Sequence, residues 1–107
     1  MRTSTRACKA TFADAGRASA LEQSTAATTF ATRCALCHAA DGSGETVIGK
    51  SAKTPDLRLP QVQQQPDARL EDVITHGSGA MPAFGTSLNS DDIHALVSYV
   101  REMGARK

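Results

Sequence analysis

The sequence has few of the large side chains that usually fill the centre of a small domain. It contains no Trp, one Tyr and three Phe, so aromatic residues make up only 4% of its 107 residues. A chain of this length forms a single domain with a small core, which usually needs a disulfide set, a metal or a cofactor to become stable. We therefore expect a bound group to fill part of the core.

Cysteines and long apolar runs are also scarce. The three cysteines, Cys8, Cys34 and Cys37, are fewer than the four or more that a disulfide framework needs. No apolar run reaches the length of a membrane-spanning helix, so no transmembrane segment is predicted. The net charge of +1 does not indicate nucleic acid binding, and none is predicted.

The N-terminal segment differs in composition from the rest of the chain. Residues 1–20 hold four basic residues and one acidic residue, whereas residues 21–107 hold 8 basic and 10 acidic residues. The triplet Ala18-Ser19-Ala20 is typical of a signal-peptide cleavage site, but no apolar segment precedes it. Three interpretations of residues 1–20 stay open: a disordered tail, the remnant of a leader, and an organellar transit segment. Residues 21–107 are predicted to form the folded domain.

Three segments have helical patterns, and none resembles a strand. A first helix over about residues 21–33 is followed by a predicted loop over residues 41–53. A second helix, over residues 66–77, has a proline in its first turn and a glycine at its end. The last helix follows Asn89, and Asp92 completes a capping box with it. Its apolar stripe consists of Ile93, Leu96, Val97 and Val100. The predicted fold class is all-α.

The segment Cys34-Ala35-Leu36-Cys37-His38 has the spacing of covalent haem attachment. Two thiols one helical turn apart can each add to a vinyl group on the same porphyrin edge, and the following imidazole can bind the iron. Two alternatives stay open. A zinc site would need a fourth ligand from Cys8, His76 or His94, and a dithiol redox site would need a strand–helix context that the sequence lacks.

Met81 is the candidate for the second axial ligand of the iron. It lies between glycines and Pro82, in a segment over residues 77–85 that is predicted to be a loop. A thioether on a loop can approach the iron from the face opposite His38, and soft sulfur suits haem iron. The alternative is a Met that fills a gap in the core. The less suitable ligand candidates, in the tail, in the last helix or at helix ends, are Met1, Met103, His76 and His94.

These residues together resemble the class I cytochrome c family, over roughly residues 21–103. Phe30 and Ala26 take the positions of an aromatic and a small residue in the first helix of that family, and the sequence AMPAFG that begins at Ala80 is similar to carriers of the cytochrome c-six type. The resemblance implies an all-α class I cytochrome c fold, with three to four helices around one covalently attached haem c.

The same resemblance assigns roles to further residues around the haem. The carbonyl of Pro55 is expected to accept a hydrogen bond from the His38 ring and so to orient the imidazole. Leu57 is expected to pack on the haem, and Phe84 belongs to the loop at the exposed haem edge. Lys50, Lys53 and Arg58 form either a local positive patch or a solvated loop, and we favour the loop.

The implied function is that of a single-electron carrier and not of an enzyme, because His38 and Met81 would fill both axial positions of the iron. We expect a periplasmic or otherwise extracytoplasmic monomer that docks transiently on redox proteins. The first alternative is an electron-relay subunit or domain of a larger oxidase or dehydrogenase. The second is a haem enzyme or gas sensor in which Met81 dissociates.

The sequence predicts that the protein carries one haem that denaturation does not release. After expression with c-type maturation factors, the intact mass of the denatured chain should exceed the polypeptide mass by one haem, because two thioether bonds hold the group. A pyridine haemochrome spectrum should show the c-type form. A mass equal to that of the bare polypeptide would contradict the prediction.

Overall fold

The computed structural model describes residues 20–106, and they form a single α-helical assembly. The predictions for residues 1–19, which include Cys8 as a possible zinc ligand, lie outside the described residues. The described part contains no strand, and an isolated bridge between Ser78 and Met81 is its one β-like pairing. The helices are α1 (Ala20–Thr29), α2 (Ala35–His38), α3 (Val47–Ser51), α4 (Pro60–Gln63), α5 (Asp67–His76) and α6 (Ser90–Arg106), and a π-helical segment (Phe30–Cys34) joins α1 to α2. The predicted all-α class is confirmed.

The first predicted helix continues through the cysteine motif by way of the π-helical segment. Its wider turn is closed by the backbone N–H of Ala35, which donates to the carbonyl of Phe30, five residues earlier. Single turns of this kind occur mostly inside α-helices at functional sites. The turn therefore changes the helical register as the chain enters the motif at Cys34, and nothing in the residue pattern predicted it.

The core lies where α1 crosses α6. Ala26 and Phe30 belong to one buried cluster with Leu96 and Val100, and the ring of Tyr99 lies 5.3 Å from that of Phe30. Because Ala26 is small, the two helices can approach each other closely. The stripe predicted on the last helix is buried as expected.

Met103 is a core residue at the far end of α6. It is only 2% exposed and belongs to the same cluster as Phe30. Its sulfur also lies against Gly42, where an added Cβ would come within 2.8 Å. A buried Met of this kind contributes about 1.5–3 kcal/mol through removal of apolar surface from water. Its position in the core agrees with its low rank as an iron ligand.

The last helix begins with the predicted capping box. The side chain of Asn89 accepts a hydrogen bond from the N–H of Asp92 at 2.8 Å, and the carboxylate of Asp92 accepts one from the N–H of Asn89 at 3.2 Å. The two bonds satisfy donors that a helix N-terminus otherwise leaves free. The start of α6 is therefore fixed by local chemistry that the sequence shows directly.

Two short helices were not predicted. The segment expected to be a loop over residues 41–53 contains α3, whose first turn is capped by Thr46, and α4 begins with Pro60. Both are too short for an apolar period to be visible in the sequence. Contacts from α6 support α4, because the Arg101 guanidinium donates to the carbonyl of Gln63 at 2.8 Å and to that of Gln65 at 2.5 Å.

No helix within residues 20–106 combines the length and the apolar character that crossing a membrane requires.

One residue directly after the cysteine motif has an unusual backbone conformation. Ala39 has a φ of 70° and a ψ of 157°, a region that glycine occupies almost exclusively. Hydrogen bonds hold it there, because its N–H donates to Ala35 and its carbonyl accepts from Gly42. The turn that ends α2 therefore stores strain beside His38.

Ala39→Gly should stabilise the haem-loaded protein by about 1 kcal/mol, because relief of the backbone strain exceeds the entropy that a glycine adds to the unfolded chain. Urea unfolding of the two proteins measures this difference. The matched control is Ala68→Gly in α5, which should destabilise by about 0.5–1 kcal/mol since no strain is relieved there. An equal loss of stability in both variants would contradict the prediction.

Candidate haem site

A cavity of about 440 Å³ lies between the cysteine motif, α5, α6 and the loop after α5. Its volume is in the range of cofactor sites in proteins. The structure brings all of the predicted site residues to its walls, and none lies elsewhere; they are Cys34, Cys37, His38, Pro55, Leu57, Met81 and Phe84. The placement agrees with a single site, while the role of each residue stays a prediction.

His38 supplies a buried imidazole to the cavity. Its Nδ1 is buried and has no hydrogen-bond partner among residues 20–106. Burial lowers the pKa of the imidazole, and the nearby Pro55 carbonyl opposes that shift in part. The carbonyl is thus close to the ring without meeting hydrogen-bond geometry. A ring kept neutral at physiological pH is the form that binds a metal.

The two cysteines of the motif both line the cavity. Cys34 and Cys37 are half-buried thiols that are not bridged to each other. Burial raises the pKa of the Cys34 thiol to about 11, and the neighbouring Arg33 guanidinium opposes this in part. Because no disulfide joins the two cysteines, both sulfur atoms are available for bonds to a group inside the cavity.

Thr46 holds the cysteine motif from outside. Its hydroxyl donates to the carbonyl of Leu36 at 2.8 Å and accepts from the N–H of Gly49 at 2.7 Å, so it caps α3 as well. Gly49 then packs so tightly that a Cβ there would overlap the carbonyl oxygen of Cys37. The unpredicted helix α3 thus fixes the backbone from which Cys37 and His38 project.

Met81 reaches the cavity from a tightly turned loop. Its N–H and carbonyl exchange hydrogen bonds with Ser78 at 2.9 and 3.1 Å, and the N–H of Phe84 donates to Ile74 in α5 at 2.9 Å. The alternative role of Met81, as a gap-filler of the helical core, has less support because it is absent from the buried cluster. Met81 lines the cavity instead.

Arg33 links the cysteine motif to the segment that carries Met81, and it was not predicted from the sequence. Its guanidinium donates to the Ser87 hydroxyl at 3.1 Å and lies 5.9 Å from the centre of the Phe84 ring. The helix that carries Cys34 is thereby attached to the end of the loop that carries Met81. No local pattern could have shown this contact, because it joins residues 54 positions apart.

The rest of the cavity wall is mostly aliphatic. Leu96 and Val100 belong to the stripe predicted on the last helix, but their role as walls of a cofactor cavity was not recognised; the wall also includes Leu70, Val73 and Ile74 of α5. Val62 was missed altogether because α4 was not predicted. Such a surface excludes water and suits a large apolar ring system.

Most of the basic side chains within residues 41–58 form ion pairs with acidic side chains. Lys50 lies 3.3 Å from Glu45, and Arg58 lies 2.9 Å from Asp56. These pairs agree with the solvated loop that we favoured over a positive patch. Lys53 differs, because it lines the cavity.

The zinc alternative has no support in the described part of the chain. No group of three or more His, Cys, Asp or Glu residues converges there on a common metal position. His76 instead contacts Asp72 at 2.9 Å, and His94 contacts Glu71 at 3.3 Å. A buried imidazole, a thioether and two thiols around an apolar cavity fit a covalently attached haem.

Comparison with known proteins agrees with this chemistry. Residues 22–100 match the family described as cytochrome C oxidase, cbb3-type, subunit III. The cytochrome c6 of Microcystis aeruginosa is 37% identical over 74 residues, which cover 69% of this chain and 88% of that protein. The cbb3-type cytochrome c oxidase subunit FixP of Azorhizobium caulinodans is 36% identical over 76 residues, 70% of this chain. The match spans only 25% of FixP.

A solved structure shows the same architecture. The KustC0563 c-type cytochrome superposes with a TM-score of 0.68 at 25% sequence identity, and the match covers 73% of this chain and 95% of that one. Helix order and the closed arrangement around the cavity are therefore those of a c-type cytochrome.

Thr46→Val should loosen the cysteine motif and destabilise the haem-loaded protein by about 1–2 kcal/mol, because it removes the cap of α3 and the hydrogen bond to Leu36. Thr46→Ser keeps the hydroxyl and is the matched control. Urea unfolding followed by far-ultraviolet circular dichroism measures both variants. Equal stability of the Val and Ser variants would show that the hydroxyl has no such role.

Proposed function

Because this chain belongs to the class I cytochrome c family, we propose that His38 and Met81 are the two axial ligands of its haem iron. Members of this family are electron carriers with one covalently attached haem c, and this chain is one of them. The observation that carries the proposal is that His38 and Met81 line the same apolar cavity from segments far apart in the sequence.

When bound, the haem supplies a one-electron Fe(III)/Fe(II) couple, and the protein residues set its surroundings. Cys34 and Cys37 would hold the porphyrin edge by thioether bonds, and the nearby Pro55 carbonyl would orient the His38 ring by accepting a hydrogen bond from Nδ1. Leu57 and Phe84 cover the ring system with apolar surface and exclude water. A thioether ligand stabilises the reduced iron and raises the potential.

A filled pair of axial positions leaves no place on the iron for a substrate. We therefore propose an electron carrier without catalytic activity of its own. Two sets of contacts support this. Backbone hydrogen bonds hold Met81, and the hydrogen bond from Thr46 to the Leu36 carbonyl holds the helix that carries His38. Both proposed ligands are therefore kept in place during electron transfer. Small structural change between oxidation states favours rapid transfer.

The partners are proposed to be redox proteins that dock briefly. Leu36, Val47 and Ile48 are large apolar side chains that stay exposed on the motif and on α3 beside it, and they suit a small, weak interface. We propose a monomer that works outside the cytoplasm, since haem attachment to thiols in this family takes place there.

The family match favours a second candidate, an electron-relay component of a cbb3-type oxidase. The haem site would serve equally well in this setting. Purification of the tagged protein from gently solubilised membranes distinguishes the two: a stoichiometric oxidase catalytic subunit in the eluate supports the relay, and recovery of the protein alone supports the free carrier.

Met81→Leu should remove the iron–sulfur bond at nearly constant volume and leave the haem attached. The reduction potential should fall, carbon monoxide should bind the reduced iron, and the sulfur-to-iron charge-transfer band of the oxidised protein should disappear, because the axial thioether is lost. Absorption spectroscopy and spectroelectrochemistry measure these changes.

The matched control is Met103→Leu, which changes the buried methionine of α6. It should cost less than about 1.5 kcal/mol of stability and keep the charge-transfer band. A Met81→Leu protein with the band and potential of the unchanged protein would remove Met81 from the iron.

A further inference from the structure

We propose that Gly77 is the positioning residue for the Met81 sulfur, because the absence of its Cβ lets the Met81 loop fold back against the end of α5. This inference rests on the proposed ligation of iron by Met81. It concerns how the sulfur is held in place, a question that the identity of the ligand leaves open.

The Met81 loop, residues 77–85, is tied to α5 at both of its ends. At its start, Ser78 and Met81 exchange two backbone hydrogen bonds, and the N–H of Gly77 donates to Val73 at 2.8 Å. At its end, the N–H of Gly85 donates to the carbonyl of Thr75 at 3.0 Å. Met81 lies between these two attachments, so the position of its backbone follows from both.

Gly77 begins the loop in a conformation that other residues avoid. Its φ is 81° and its ψ is 173°, and this region is essentially restricted to glycine. A Cβ there would lie 2.7 Å from the Met81 carbonyl oxygen, 3.0 Å from the Ala83 nitrogen and 3.1 Å from the Pro82 carbonyl carbon. All three contacts are with backbone atoms, so relief would require the loop to move.

Gly79 lies in the same loop and lacks this constraint. Its φ of 56° is also positive, but no heavy atom lies within 4 Å of the position that a Cβ would take. Conformations with this φ also accept residues such as Asn. Gly77 and Gly79 therefore share a positive φ and differ in what a side chain would meet.

The other end of the loop has a milder constraint. A Cβ at Gly85 would lie 2.9 Å from both the Cγ2 atom and the carbonyl oxygen of Thr75, and its φ is not positive. A methyl group there would lift the end of the Met81 loop from α5 without backbone strain at the substituted residue. The effect on Met81 should therefore have the same direction as at Gly77 and a smaller size.

The test uses Gly77→Ala, Gly79→Ala and Gly85→Ala in the full chain with haem attached. Intact mass and circular dichroism establish haem attachment and folding. The readouts are the sulfur-to-iron charge-transfer band, the reduction potential, and the affinity of the reduced iron for carbon monoxide, which competes with the Met81 sulfur. A role confined to general stability would leave these three readouts unchanged.

Gly77→Ala should weaken the charge-transfer band, lower the potential and raise the apparent carbon monoxide affinity by roughly tenfold or more, about 1.4 kcal/mol. Gly85→Ala should change the same readouts less, and Gly79→Ala should match the unchanged protein. Equal effects at Gly77 and Gly79 would overturn the inference, since the loss of any loop glycine would then suffice. Unchanged readouts in both the Gly77 and Gly85 variants would also overturn it.

Met81→Leu separates this inference from the proposed function. If Met81→Leu removes the charge-transfer band while Gly77→Ala and Gly85→Ala keep it, the ligand is correct and the positioning role is wrong. If Met81→Leu keeps the band, the proposed ligation is wrong, and the positioning role is overturned with it. If Gly77→Ala does not fold, Gly85→Ala against Gly79→Ala decides the outcome.

Discussion

Ala26 of α1 and Phe30 of the π-helical segment pack in one buried cluster with Leu96 and Val100 of α6, and this crossing determines where the cysteine motif enters the cavity. The chain has too few aromatic side chains to complete a core of its own, so the helices instead close around a cavity lined by aliphatic residues. A covalently held porphyrin would fill that space. The protein core and the cofactor site are thus parts of one apolar interior.

His38 and Met81, the two proposed iron ligands, are positioned by different means. His38 ends a short helix, and the carbonyls of the two residues before it contact Thr46 and Gly49 of a neighbouring segment. Met81 lies in a loop that is hydrogen-bonded to the end of α5. Arg33 connects the two sides through Ser87 and Phe84. This division shows how a small chain can hold His38 and Met81 in place with few buried residues.

The sequence predicted those features that depend on neighbouring residues. The Asn89–Asp92 capping box, the apolar stripe of α6 and the cysteine motif are local patterns, and each is present in the structure. Features that depend on tertiary contacts escaped prediction, because their partners lie far apart in the chain. Helix α3 is too short to show a period, the π-helical turn that ends at Cys34 has no residue signature, and the contact of Arg33 with Ser87 joins two distant segments.

Ligation of the iron by Met81 is tested most directly by proton nuclear magnetic resonance of the reduced protein with its methionine methyl groups labelled. The chain has three methionines, and a methyl group bound beside the iron lies within the ring current of the porphyrin. The account predicts one methyl resonance displaced far from the other two, and assignment by substitution should identify it as Met81. Three methyl resonances at ordinary positions, or a displaced resonance from Met103, would contradict it.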